Sequence, residues 1–234
     1  PTRRSSDLGN NYHLLGYGFR RDCRDFDVVE QNFHHLESVA TPLKLAKLRA
    51  LGFQLDVDRL YALAGDRVPQ EEQMAELILE DARNANHELL LPYRAGNSRS
   101  DMPLINFFWD FFGRDKPCHV KVELPPMAEM ASMIIDNGGI PVIAHIGANV
   151  KEKPLSVIEQ MLPLGVQGVE VFSSYHDEAL RRELYQFTLD KALLATSGSD
   201  FHGKNKPNIK MGSSQPWAAA LPKTLEILER VTLY

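Results

Sequence analysis

The stretch LLATSGSDFHG, residues 193–203, decides the fold assignment of this chain. It opens with a short apolar run, as a buried strand does, and then passes into small residues and two metal-binding side chains, Asp200 and His202. In an extended segment, residues i and i+2 point to the same side, so this carboxylate and this imidazole could bind one ion. The alternative is a loop in which Asp200 caps a helix and His202 is solvated.

A second candidate ligand lies upstream in IPVIAH, residues 140–145. His145 closes this apolar strand and is followed by a glycine at position 147. Functional groups of α/β proteins gather at the carboxyl ends of strands. A single histidine at such a position is also often a hydrogen-bonded structural residue, so both interpretations stay open for His145 taken alone.

The carboxyl-terminal half of the chain alternates between helix and strand patterns. Apolar residues at helical spacing predict helices over residues 127–135, 154–162 and 176–189, and apolar runs predict strands over 140–144, 166–172 and 192–196. Such alternation implies an α/β fold with a parallel sheet or barrel.

The amino-terminal half has a different sequence pattern. NYHLLGYGF, residues 11–19, predicts a strand, and residues 26–86 show helical spacing, with Thr41-Pro42 as a cap and first-turn pair and Gly52 as a stop. Residues 89–103 predict a loop. The aromatic stripe within residues 104–112 predicts one helix face used for core or interdomain packing.

Three of these segments resemble one family. The order AHIG, GVEVFSSYH and TSGSDFHGKNKP is similar to the carboxyl-terminal half of the polymerase and histidinol phosphatase (PHP) family of metal-dependent phosphoesterases. In that family the histidine after the "AH" strand and the Asp-x-His pair are metal ligands. NYHLLGYGF resembles the strand that carries another ligand histidine, here His13.

The resemblance implies an α/β fold built as a distorted (β/α)₇ barrel with a helical insert. It predicts barrel portions at residues 10–19 and 122–234 and a mainly helical insert at 20–121. The opening residues, PTRRSSDL, resemble a translated sequencing adapter, which predicts a foreign leader at 1–9. It implies a metal site formed by His13, His145, Asp200 and His202, the last two with catalytic roles. The cofactors would be divalent zinc, manganese or iron ions, two or three of them in the intact family site, activating water for phosphate ester hydrolysis.

Two arginines are candidate substrate contacts. Arg94 and Arg99 lie in PYRAGNSRS, residues 92–100, which resembles a loop of close relatives. Planar guanidinium donors suit a phosphate, although solvated loop arginines are equally common. The predicted substrate is a small phosphomonoester or a nucleotide, and a short oligoribonucleotide is a further candidate.

The chain departs from the family pattern at its start. The family opens with a His-x-His pair after its first strand, followed by a "TDH" segment and a Glu, and none of these precedes residue 10. The sequence therefore predicts a fragment whose amino-terminal strands, with half of the metal ligands, are lost.

Composition limits the remaining possibilities. With 234 residues, 44% hydrophobic and 24% charged, the chain can bury a sizeable core, and no apolar run approaches a membrane span. A net charge of −5 argues against a broad nucleic-acid surface, and no protein partner is evident. We expect a cytoplasmic protein. A metal-dependent amidohydrolase and an inactive metal-binding or protein-binding module are the alternatives to a phosphoesterase.

Overall fold

The fold is built on a five-stranded sheet with the strand order β1-β2-β3-β4-β5. The computed structural model describes residues 2–7, 10–20 and 22–231. The strands are β1 (Thr2–Asp7), β2 (Asn10–Tyr17), β3 (Ile140–Ile143), β4 (Gly168–Ser173) and β5 (Leu194–Gly198). β2 is antiparallel to both β1 and β3, whereas β3, β4 and β5 are parallel to one another.

Helices connect the strands from β2 onward, and much of the segment between β2 and β3 is helical. The helices in the described residues are α1 (Asp25–Ala50), α2 (Val57–Ala64), α3 (Glu71–Glu80), α4 (Pro103–Phe107), α5 (Met127–Asp136), α6 (Ile146–Asn149), α7 (Pro154–Met161), α8 (Glu178–Asp190) and α9 (Leu221–Arg230). Short 3₁₀ turns and a π-helical turn, Phe108–Phe112, complete the set. Among the helices so described, none is both long and apolar enough to cross a membrane.

The predicted α/β fold is confirmed, and so is the parallel arrangement of the strands in the carboxyl-terminal half. Each parallel strand is fully or largely buried, as expected for strands whose two faces are covered. α5 packs on β3, α8 on β4 and α9 on β5. Because β3, β4 and β5 are parallel, their carboxyl ends lie along one edge of the sheet.

The predicted helix start at Thr41-Pro42 is wrong. α1 begins at Asp25 and continues through Pro42 as one helix of 26 residues. The hydroxyl of Thr41 donates to the carbonyl of Glu37 at 2.8 Å, which keeps this turn hydrogen bonded beside the proline. The predicted stop is confirmed, since α1 ends at Ala50 and Gly52 adopts a φ of 87°.

The chain divides into two compact units. The first comprises Pro1–Asp27, Leu124–Phe201 and Ile209–Tyr234 and contains the sheet. Its core includes Ile140, Val142, Leu194 and Ile227, with Leu15 and Tyr17 packed against them.

The second unit comprises Val28–Glu123 and His202–Asn208. It has a core of its own, in which the aromatic stripe is buried as predicted: Phe107, Phe111 and Phe112 pack with Phe53 and with leucines of α1 and α2. The sequence-based division into leader, barrel and insert stays a prediction. Within the leader, residues 2–7 form β1, and residues 1, 8 and 9 lie outside the described part of the chain.

Candidate metal centre

Three of the four predicted ligands lie at the edge of the sheet where the parallel strands end. His145 follows β3, Asp200 follows β5, and His13 lies in β2. Because β2 runs antiparallel to β3, the early part of β2 reaches this same edge. The N–H of Ala144 donates to the carbonyl oxygen of His13 at 3.0 Å, which fixes the two histidine-bearing segments side by side.

The imidazoles of His13 and His145 are in direct contact. His13 Nδ1 lies 3.1 Å from His145 Nε2, and the rings meet edge to face with centroids 4.9 Å apart. This spacing suits a hydrogen bond. It also suits a shared ion, because two metal–nitrogen bonds of about 2.0–2.1 Å at roughly 90–110° hold their nitrogens about 3 Å apart. His145 is 5% exposed, whereas His13 is half-buried, so the pair is accessible from one side.

Asp200 is tied to this pair through Tyr175. The phenol of Tyr175 donates to Asp200 Oδ2 at 2.9 Å, and its ring centroid lies 5.5 Å from that of His145. Burial raises the pKa of Tyr175, and the charge of Asp200 and this hydrogen bond raise it further. The phenol therefore keeps its proton and remains a donor at neutral pH.

His202 follows Asp200 by two residues and is exposed. It belongs to the second unit, whereas the other predicted ligands belong to the first. Within the residues that the structure describes, no three His, Cys, Asp or Glu side chains are grouped closely enough to hold an ion by themselves. The preformed part of the candidate centre is therefore the His13–His145 pair, with Asp200 linked to it by Tyr175.

Two of the candidate ligands have backbone conformations that side-chain-bearing residues rarely adopt. His145 has a φ of 25° and Asp200 a φ of 56°, both in the left-handed region. Such conformations cost free energy and persist only where surrounding contacts hold them. Their occurrence at both strand ends is typical of a functional site.

Glu170 is a buried carboxyl group between these two strand ends. Its Oε2 accepts the backbone N–H of His145 at 3.0 Å, and it is 5% exposed. Burial raises the pKa of Glu170 to about 7. The hydrogen bond from His145 opposes this rise, and the negative charge of Asp200 adds to it. A cation bound near two such mutually repelling carboxyl groups would relieve their repulsion, so the donor set fits a divalent metal.

His176 supports the same turn. Its Nδ1 lies 2.8 Å from the carbonyl of Val171, and its Nε2 lies 3.0 Å from the N–H of Gly147. These partners assign the proton to Nδ1, because Nε2 must accept. Burial lowers the pKa of His176, which agrees with this neutral form.

The chain is similar to known proteins in sequence and in fold. No protein-family model matches the chain. A phosphoribosyl 1,2-cyclic phosphate 1,2-diphosphodiesterase of Eggerthella lenta is 22% identical over 200 residues, covering 85% of this chain and 69% of the relative.

Two solved structures share the fold. One, from Bifidobacterium adolescentis, is described provisionally as a metal-dependent phosphoesterase; its TM-score is 0.73 at 19% identity, over 99% of this chain and 76% of that one. The other is an amidohydrolase of Chromobacterium violaceum solved with bound sulfate and no metal, with a TM-score of 0.72 at 20% identity, over 98% and 75%. The resemblance to PHP-family phosphoesterases is confirmed.

The two arginines that the PHP resemblance marks as substrate contacts are both engaged within the second unit. Arg94 donates to the backbone carbonyls of Leu79 and Asn84 at 2.8 and 3.2 Å. Arg99 forms a two-point ion pair with Asp110, with nitrogen–oxygen distances of 2.8 and 2.5 Å. Their role in binding substrate stays a prediction, and the observed bonds give each a structural role.

Sequence reasoning gave little weight to two residues of this candidate centre. Tyr175 lies in the SSYH segment of the family resemblance, but no sequence signal indicates its bond to Asp200. Glu170 is preceded and followed by valines in a buried strand, and a charged residue is almost never buried without a partner. That isolated glutamate in the apolar run 166–172 was the available signal.

Proposed function

We propose that this chain is a metal-dependent phosphoesterase that hydrolyses a small phosphomonoester or nucleotide phosphate with a metal-activated water. The observation that carries the proposal is the contact between His13 and His145 at the sheet edge where Asp200 also lies. The names of the Eggerthella lenta and Bifidobacterium adolescentis relatives support the reaction class.

His13, His145, Asp200 and His202 are the proposed ligands of one or more zinc, manganese or iron ions. A bound divalent ion supplies a hydroxide near neutral pH and neutralises charge on the phosphoryl group. Oxygen and nitrogen donors without thiolate agree with these metals.

The chain's own residues prepare the site. The hydroxyl of Tyr175 donates a hydrogen bond to Asp200 Oδ2, which orients that carboxylate. Burial of His145 excludes water from one side of the imidazole pair, which strengthens electrostatic interactions there. Arg94 and Arg99 remain the proposed phosphate contacts. The distorted (β/α)₇ barrel and the cytoplasmic location belong to the same proposal.

The decisive experiment combines metal content with turnover. We expect mass spectrometry to find zinc, manganese or iron in the purified protein, and p-nitrophenyl phosphate hydrolysis to be lost on chelation and restored by Mn²⁺. Asp200→Ala is expected to lower kcat/KM at least about 100-fold, because it removes a ligand from the reacting centre. Asp190→Ala, at an exposed aspartate of α8, is the matched control and should leave turnover unchanged.

The substrate class follows from parallel assays. Turnover of bis(p-nitrophenyl) phosphate in preference to the monoester would indicate a diester substrate, in line with the name of the Eggerthella lenta relative. Release of mononucleotides from a short oligoribonucleotide would indicate that such an oligoribonucleotide is the substrate.

An amidohydrolase is the second candidate function, because the Chromobacterium violaceum protein shares the fold under that description. Metal-dependent hydrolysis of p-nitroacetanilide without hydrolysis of either phosphate ester would favour it. A protein that binds no metal and turns over none of these probes would be the inactive module instead.

A further inference from the structure

The turn that carries His145 is held by two side chains, one from β4 and one from the segment that follows β4. The carboxylate of Glu170, in β4, accepts the N–H of His145 itself at 3.0 Å. Two residues further along the turn, the N–H of Gly147 donates to His176 Nε2 at 3.0 Å. Both acceptors are buried, so these bonds do not compete with bulk water.

The same carboxylate also contacts the segment that leads to Asp200. A Cβ atom at Gly198, the last residue of β5, would collide with Glu170 Oε1. The glycine therefore makes room for the carboxyl group, which fills the space between the ends of β3 and β5. One side chain thus touches two of the three segments that bear candidate ligands in the first unit.

The backbone conformation of His145 explains why its N–H needs a hydrogen-bond acceptor. A φ of 25° is unfavourable for a residue with a side chain, and without a partner for its N–H the residue would relax toward an ordinary conformation. A relaxed backbone would swing the imidazole away from His13, whose Nδ1 it now meets at 3.1 Å. The direction of the His145 ring thus depends on its backbone hydrogen bond.

We propose that Glu170 is a positioning residue that holds His145 and the Gly198–Asp200 segment in register for metal binding. This inference rests on the proposed metal site and assigns Glu170 no contact with the metal or substrate. One carboxylate oxygen is bound to a backbone N–H and the other lies over Gly198.

Cobalt(II) is a suitable probe, because its visible absorption reports the number and geometry of its ligands. Glu170→Ala removes the acceptor for the N–H of His145, whereas Glu170→Gln keeps an oxygen acceptor of the same reach. We expect Glu170→Ala to raise the Kd for Co²⁺ by about 10–100-fold and to alter the cobalt spectrum, the effect usual for residues that orient metal ligands. Glu170→Gln should restore the Kd to within about threefold of wild type, with a wild-type spectrum, since the orienting bond is retained.

Gly198→Ala tests the same contact without changing Glu170. The added methyl group must displace the carboxylate, so we expect a weaker affinity for Co²⁺ in the same direction as Glu170→Ala. Glu71→Ala is the control for stability alone, because it removes a half-buried carboxylate that pairs with Lys44 in the second unit. It should lower the melting temperature and leave the cobalt Kd and spectrum unchanged.

The outcomes separate this inference from the proposed function. A wild-type protein that binds no Co²⁺ and has no metal-stimulated turnover overturns both. Normal binding by wild type together with wild-type Kd and spectrum in Glu170→Ala overturns the positioning role alone. Glu170→Gln behaving as badly as Glu170→Ala does so too, because it would make the charge, and not the acceptor, the important property. If Glu170→Ala does not fold, Gly198→Ala decides, and a wild-type cobalt Kd for that variant overturns the inference.

Discussion

At the scale of single residues, the candidate centre depends on a few polar contacts made inside an apolar setting. His145 meets His13, and Tyr175 connects His145 with Asp200. A buried bond to a charged group is worth about 1.5–3 kcal/mol, more than a neutral one, because the low local dielectric strengthens it. Removing single atoms here should therefore change function before it changes the fold.

Tyr175→Phe tests the bond to Asp200. The ring stays, but Asp200 Oδ2 loses its donor, so the carboxylate is less firmly oriented. We expect kcat/KM for p-nitrophenyl phosphate to fall about tenfold, in keeping with the loss of one partner of a metal ligand. The measurement is steady-state kinetics with saturating Mn²⁺, with circular dichroism to verify the fold.

Tyr185→Phe is the matched control for that variant. Tyr185 lies in α8 and packs its ring near Phe172 and Trp217, so the same chemical change is made at a residue that is not a candidate ligand. Equal losses in Tyr175→Phe and Tyr185→Phe would argue that the effect is general and that the bond to Asp200 has no role in turnover.

At the scale of elements, the predicted helical insert is stabilised by a polar network on its aromatic segment. α4 continues into the π-helical turn that contains Asp110, and this carboxylate accepts from both Tyr93 and Arg99. Wide π turns are uncommon and need such support. The network joins the loop of the two candidate phosphate-binding arginines to the buried aromatic face.

The stability of this network should depend on pH. Burial opposes ionisation of Asp110, but the hydrogen bonds and charge of Arg99 and the bond from Tyr93 outweigh it, so the pKa of Asp110 is lowered. Its contribution is present above the unfolded value of about 3.9 and is lost as the pH falls through the lower folded value. Asp110→Asn should therefore reduce the free energy of unfolding by on the order of 1 kcal/mol at neutral pH, with the difference from wild type shrinking below about pH 4.

Urea unfolding followed by the fluorescence of Trp109, which lies in the same π turn, measures this difference at each pH. Asp66→Asn, at an exposed aspartate of the second unit, is the control and should be neutral at every pH. A difference for Asp110→Asn that grows on acidification would contradict the assigned role.

At the scale of the whole molecule, two units each have their own buried core and each contain one of the two tryptophans. Trp109 lies in the second unit, and Trp217 lies in the first, against Phe172 and Tyr185. His13, His145 and Asp200 all belong to the first unit. Metal binding should therefore stabilise mainly the first unit, whose unfolding changes the fluorescence of Trp217.

Single-tryptophan variants make this testable. In Trp109→Phe the fluorescence reports the first unit, and in Trp217→Phe it reports the second. A ligand at 100 times its Kd stabilises the state that binds it by about 2.7 kcal/mol. We expect Mn²⁺ to raise the free energy of unfolding by about 2–3 kcal/mol for the Trp217 signal and by less for the Trp109 signal. A larger rise at Trp109 would contradict the placement of the site.

What the sequence determined by itself was the local pattern. Helical and strand periodicity predicted the parallel strands of the carboxyl-terminal half, and the segments around His145 and Asp200 indicated a PHP-like phosphoesterase. These features depend on residues near one another in the chain, whose backbone geometry repeats every two or 3.6 residues.

Only the tertiary structure decided which side chains meet. The antiparallel course of β2, which brings His13 to His145, and the bond of Glu170 to the turn after β3 join residues more than 20 positions apart. The ion pair of Arg99 with Asp110 and the continuation of α1 through Pro42 are likewise decided by packing. Strand direction and the partner of a buried charge are set by long-range burial and desolvation, which outweigh local propensity and leave no short-range pattern in the sequence.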